Sequence, residues 1–286
     1  MRTQTILIGI LLLLINLSVG LSQMLIAPTT VFMDEGNSIT SVVIQNRTQD
    51  TREVSLEMKF GYPTTDSLGK SYINYNDSAT EKLHSLVSWV KIFPKKILLK
   101  PEEKQTIRIL AKLPQGLNDG MYWGRLAFVS RPKSTINFDT TSDQIGAQIN
   151  LTFNQVIPII FKKGEAQTKI EVEKVDFRQD SNKMIMTVVT KTDKTSPFIG
   201  TGNLLVKDEK GNVVKQIKVP LTVYYRLAKE IIIDLNKQNA GKYTVDFELE
   251  STREDVNEIY LAKASKVNLE NSFIFDISNS ITEMKK

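Results

Sequence analysis

Between Ile149 and Lys163 the chain reads INLTFNQVIPIIFKK, with Ile149, Leu151, Phe153, Ile157, Ile159 and Phe161 at odd positions and Gln155 the one polar break. A period of two puts these side chains on one face of a β-strand, and that face has to pack against something. Pro158 falls inside the run. Proline cannot donate to a ladder, so the strand is expected at a sheet edge. A long apolar edge invites pairing with another chain, and soluble proteins normally blunt it. An edge left apolar is therefore a candidate binding surface.

The same period recurs along the chain in short pieces. TSVVIQN and REVSLEMKF flank the polar turn NRTQD; SWVKIFP and KKILLKP lead into a turn at Pro101; QTIRILAKL and GMYWGRLAFVS follow. After the polar segment FKKGEAQT a second series begins: KIEVEKVDF, KMIMTVVTK, GTGNLLVKDEKGNVVKQIKV with a hairpin turn at Lys210-Gly211-Asn212, KEIIIDL and GKYTVDFELES. Many short strands with regular turns predict an all-β protein of two immunoglobulin-like sandwiches in tandem. SATEKLHSLVSW supplies one or two helical turns at most. The expected division is a first domain over residues 23–163, a second over 164–268, and a closing strand and tail over 269–286. Tyr243, just after Gly241, suits a tyrosine corner or simply a tyrosine on a late strand; both readings stay open.

Residues 1–22 carry one charge, Arg2, then an apolar run ending in small residues. This is the pattern of a secretory signal peptide cut between Ser22 and Gln23, with an uncleaved anchor as the alternative. No later run is long enough to span a bilayer as a helix. The chain has no cysteine, so an exported form has neither disulfide nor lipidated cysteine. Export without disulfides fits a periplasm, with the cell surface as the alternative. The net charge of +5, or +4 without Arg2, comes from interspersed lysines and acids, a solvated surface rather than a nucleic-acid stripe.

Catalytic constellations are missing from the pattern. One histidine, His84, lies in a polar stretch and reads as an inert surface residue. There is no thiol, no G-x-S-x-G elbow and no glycine-rich phosphate loop. Asp34-Glu35 and Glu102-Glu103 fall at turns, where carboxylates are ordinarily solvated. No enzyme activity, metal or cofactor is expected. The chain reads as a binding protein.

Five segments, in order, carry a resemblance: APTTVFMDEG, ITSVVIQNRTQDTREVSLEMKF, IFPKKILLKPEEKQTIRI, LPQGLNDGMYWGRLAFVS and AQINLTFNQVIPIIFKK. The first domain resembles the N-terminal domain of periplasmic pilus-assembly chaperones. The resemblance implies two immunoglobulin-like domains in a bent arrangement. It also implies protein clients, pilin-like or other β-rich exported subunits, held by strand complementation, and an outer-membrane usher as a further partner. Carried over by position, the lent edge strand is Ile149, Leu151, Phe153 and Ile157. The family's cationic anchor for a client's terminal carboxylate falls on Thr30 and Pro158, neither of them a cation. That substitution predicts client binding independent of a free carboxylate. Lys162 and Lys163 are the cations nearby in sequence. Two alternatives remain: Ile149, Leu151 and Phe153 face their own core, or the chain is a structural or adhesive surface protein that assists no folding.

Overall fold

The computed structural model describes residues 24–66, 69–133 and 151–276. The expected signal peptide, Ile149 and the tail after Asp276 lie outside the described residues.

The first sandwich packs two sheets. One has the order β1 (Met24–Ala27), β3 (Ile39–Asn46), β9 (Lys104–Ala111), β7 (Val90–Phe93). The other has β2 (Val31–Asp34), β11 (Phe153–Lys163), β10 (Gly120–Pro132), β4 (Arg52–Lys59), β8 (Lys96–Leu99). The opening segment switches sheets across Pro28-Thr29-Thr30: β1 pairs antiparallel with β3, and β2 pairs parallel with β11. Inward residues such as Met33, Ile44, Ile107, Ile109, Leu126, Ile159 and Phe161 close the core between the sheets. With no disulfide available, this burial, about 1.5–3 kcal/mol for each large apolar side chain, holds the domain.

Between β4 and β7 the chain inserts a hairpin, β5 (Tyr62–Thr65) and β6 (Ser71–Asn74), and a short helix, Ser78–His84. Asp77 caps that helix by accepting from the Thr80 N–H at 3.0 Å.

The second sandwich pairs a sheet of order β12 (Ile170–Asp180), β13 (Lys183–Thr192), β16 (Arg226–Asp234) with one of order β15 (Val213–Val223), β14 (Phe198–Lys207), β17 (Gly241–Glu250), β18 (Val267–Phe275). The final strand, expected to start a separate segment at 269, begins at Val267 and is laddered to β17. Both sandwiches carry a tyrosine corner. The Tyr243 hydroxyl donates to the Asn239 carbonyl at 2.7 Å, and the Tyr122 hydroxyl to the Asn118 carbonyl at 2.9 Å.

The domains meet at Gly164, where φ is +52° and an added Cβ would lie 2.2 Å from an Asp119 carboxylate oxygen. Glycine takes this left-handed backbone without strain and leaves the Asp119 carboxylate undisturbed. An apolar cluster seals the junction: Phe60, Tyr62, Trp123 and Ile160 from the first domain, Tyr224 and Leu261 from the second. Strand β10 makes this possible because both its faces are covered. Tyr122, Leu126 and Phe128 point into its own core, while Met121 and Trp123 point into the junction.

Candidate functional site

Strand β11, expected at an edge, is one along half its length. On one side it ladders to β10 throughout. On the other, β2 covers only Ile159–Lys162, and Phe153–Pro158 has no strand partner among the described residues.

Along that half the odd face changes character. Leu151 is 53% exposed. Phe153 is half-buried, with the Arg52 guanidinium 5.4 Å above its ring. Arg52 also donates to the Leu151 carbonyl at 3.2 Å, holding the approach to the strand. Ile157 is 5% exposed and belongs to the first sandwich's own core. The even face shows Val156, 37% exposed. The strand thus leaves its own core gradually, from Ile157 outward to Leu151.

Its inner end opens on a cavity of about 300 Å³ between the domains, lined by Thr30, Phe32 and Pro158 with Arg125, Tyr224 and Arg253. Pro158 stands opposite Arg125 in the β10–β11 register. The two positions where the resemblance loses its cations therefore face a cavity that contains arginines. Arg253 is already engaged: it pairs with Asp255 through Nε at 2.8 Å and through Nη2, and donates to the Thr222 hydroxyl at 3.2 Å. That pairing holds the Asp255 carboxyl below the usual carboxylate range.

Arg125 is different. It is 8% exposed, its Nε donates to the Gly61 carbonyl at 3.3 Å, and its two terminal nitrogens have no hydrogen-bond partner among the described residues. A guanidinium presents five donors in a planar fork suited to a carboxylate. Arg125 lines the cavity, so its unused donors are available to an anion that enters it. Tyr224 shares the wall, and burial pushes its hydroxyl up to about 12, so it stays neutral beside the cation.

Lys162 and Lys163 are committed elsewhere. Lys162 donates to the Ile259 carbonyl at 3.0 Å, and Lys163 pairs with Asp119 at 2.9 Å.

His84 also departs from expectation. Instead of lying on the surface it stacks on Trp123, ring centres 4.6 Å apart, with Nδ1 3.2 Å from the Met121 carbonyl. Burial holds its pKa below the usual histidine value. The polar look of its neighbours concealed a helix whose last turn packs on the domain junction.

No family model matches the chain, and no curated protein does. Solved structures do align with it. The YadV chaperone covers 89% of this chain and 100% of its own, at 11% identity and TM-score 0.40. The CupB2 chaperone of Pseudomonas aeruginosa covers 86% and 98%, at 11% identity and TM-score 0.40. The CsuC–CsuE chaperone–tip adhesion subunit pre-assembly complex, from archaic chaperone-usher Csu pili of Acinetobacter baumannii, gives 87% and 98%, at 14% identity and TM-score 0.41. At TM-scores of this size the likeness carries no argument; the fold assignment rests on the sheets described above.

Proposed function

We propose that this protein is a periplasmic chaperone that holds β-rich exported subunits by lending them the first half of β11, and delivers them for assembly of a surface fibre. One observation carries the reading: a half-strand, Phe153–Pro158, with one side free of any strand partner among the described residues, runs into a cleft lined by an arginine whose terminal donors have no partner among those residues. The edge amides and carbonyls supply a ladder for a client lacking a strand, and side chains on alternate positions supply the fit. Phe153, at the rim of its own core, and Leu151, half-exposed two residues before β11 begins, are the residues offered. Ile157 stays home. Arg125 takes the client's terminal carboxylate in place of the cations missing at Thr30 and Pro158, which replaces the expectation of carboxylate-independent binding. No nucleotide is needed, because strand exchange provides its own driving force. An outer-membrane usher is the receiving partner in the same reading.

Leu151→Asp tests it. The half-exposed position tolerates a carboxylate in the free protein, at a cost of about 1 kcal/mol for the apolar area that aspartate no longer buries. The same carboxylate in a client's apolar groove is strongly disfavoured. The expected result is a folded variant, by circular-dichroism melting, that no longer copurifies with the exported subunits the parent carries. A folded variant with the same cargo refutes strand lending at this position. A variant that unfolds shows Leu151 to be core, and refutes it too.

A further inference from the structure

A sandwich needs no extra hairpin between β4 and β7, and the one inserted here reaches across to the other domain. Tyr62, 4% exposed, lies with its ring 4.6 Å from that of Tyr225 and 6.1 Å from that of Tyr224. Its hydroxyl donates to Asp77 at 2.6 Å, and the same carboxylate accepts from the Thr80 hydroxyl at 2.6 Å. The helix cap therefore holds Tyr62 from behind, and the tyrosine is presented to the second domain as a fixed wedge.

Thr64, Thr65 and Asp66 reach the second sandwich by hydrogen bonds. The Thr64 hydroxyl donates to the Arg226 carbonyl at 3.2 Å, the Ala228 N–H donates to the Thr65 hydroxyl at 3.0 Å, and Arg226 Nη1 donates to the Asp66 carbonyl at 3.2 Å. Strand β16 ends the order of its sheet, so these bonds fall on an edge that would otherwise offer unpaired backbone groups. The same insertion reaches the cleft. Pro63 forms part of the cavity wall, and the Gly61 carbonyl is the acceptor that orients Arg125.

We propose that the β5–β6 hairpin is a clasp that fixes the two sandwiches as one rigid body and sets the width of the cleft between them. A ring stack, a capped helix behind it and three hydrogen bonds onto a strand edge act together, so the joint resists both bending and sliding. Loosening the clasp moves the wall that carries Arg125 without altering any group in the cleft. The inference concerns the free chain and stands whether or not strands are lent to clients.

The full chain is well suited to the test because it has no cysteine. Spin labels at Lys112→Cys and Lys210→Cys, one exposed site in each domain, report the interdomain distance. In the otherwise unaltered protein a single narrow distance distribution and one calorimetric transition are expected. Adding Thr65→Val and Tyr225→Ala, both outside the two sandwich cores, should broaden the distribution and split the transition in two. A broad distribution before these changes, or a narrow one with a single transition after them, overturns the clasp. If the combined variant does not fold, Thr65→Val alone decides by amide exchange. Exchange at Ala228 should speed up about tenfold, the worth of one hydrogen bond, while Ile231 and Ile233 stay protected. Unchanged exchange at Ala228 overturns the proposal.

Discussion

Arg125→Met separates what the cleft does from what holds the protein together. The arginine is 8% exposed and spends one donor, Nε, on the Gly61 carbonyl. Losing that bond costs about 1.5–3 kcal/mol, the range for a hydrogen bond to a charged group. Against it stands the partial desolvation of a guanidinium that lines the cavity without a counter-ion, a smaller penalty than the several kcal/mol of a fully buried ion. Methionine keeps much of the volume and carries no charge. The balance runs from no change to about 2 kcal/mol of added stability. Function should move the other way. A synthetic peptide from the C-terminus of a copurified client should bind the parent about 100-fold more tightly as the free acid than as the amide, about 2.7 kcal/mol. The variant should bind both forms alike. Urea unfolding with linear extrapolation measures the first quantity, and isothermal titration the second. Destabilisation of more than about 2 kcal/mol would make Arg125 a structural cation, and equal binding of acid and amide by the parent would remove the carboxylate from the mechanism.

Other outcomes follow from the same geometry. Tyr122→Phe and Tyr243→Phe each keep the ring and lose one corner hydrogen bond, so each should cost about 1 kcal/mol in urea unfolding. The single histidine gives a clean pH window. Because burial holds the His84 pKa below 6.5 in the folded state, the unfolded chain binds a proton first as pH falls from 6.5. Stability contributed by the neutral ring is therefore present above 6.5 and declines as pH drops toward the folded value. His84→Phe should flatten the decline in stability below pH 6.5, measured by urea unfolding at fixed ionic strength, and an unchanged slope would show that burial of the ring is not its cause. Ile157→Ala, unlike Leu151→Asp, should cost about 2–5 kcal/mol because it opens a cavity in the first core; thermal melting distinguishes the two positions.

The alternation of apolar residues was enough to determine an all-β chain built of many short strands, because a period of two is written residue by residue. It also placed Phe153 and Ile157 on one strand face, whereas Leu151, expected on the same face, precedes the strand. The tyrosine corner is legible in both domains, in the matching segments Asn118-Asp119-Gly120-Met121-Tyr122 and Asn239-Ala240-Gly241-Lys242-Tyr243. Alternation does not say how far a face is covered. Leu151 and Ile157 look equivalent in sequence, yet one is half-exposed and the other is core, because Leu151 precedes the strand while Ile157 lies within it and packs between the sheets. Arg125 in GRLAF occupies what reads as a solvent-facing position. It is buried because β10 has a second covered face, and that face exists only once another domain, about a hundred residues later in the chain, packs against it. Tyr62 likewise takes its surroundings from Tyr225 across the junction, and His84 takes its own from Trp123, about forty residues away on β10 of the same domain. Local pattern decides the strands; the cleft and its cation come from contacts between residues far apart in sequence, which no local period can encode.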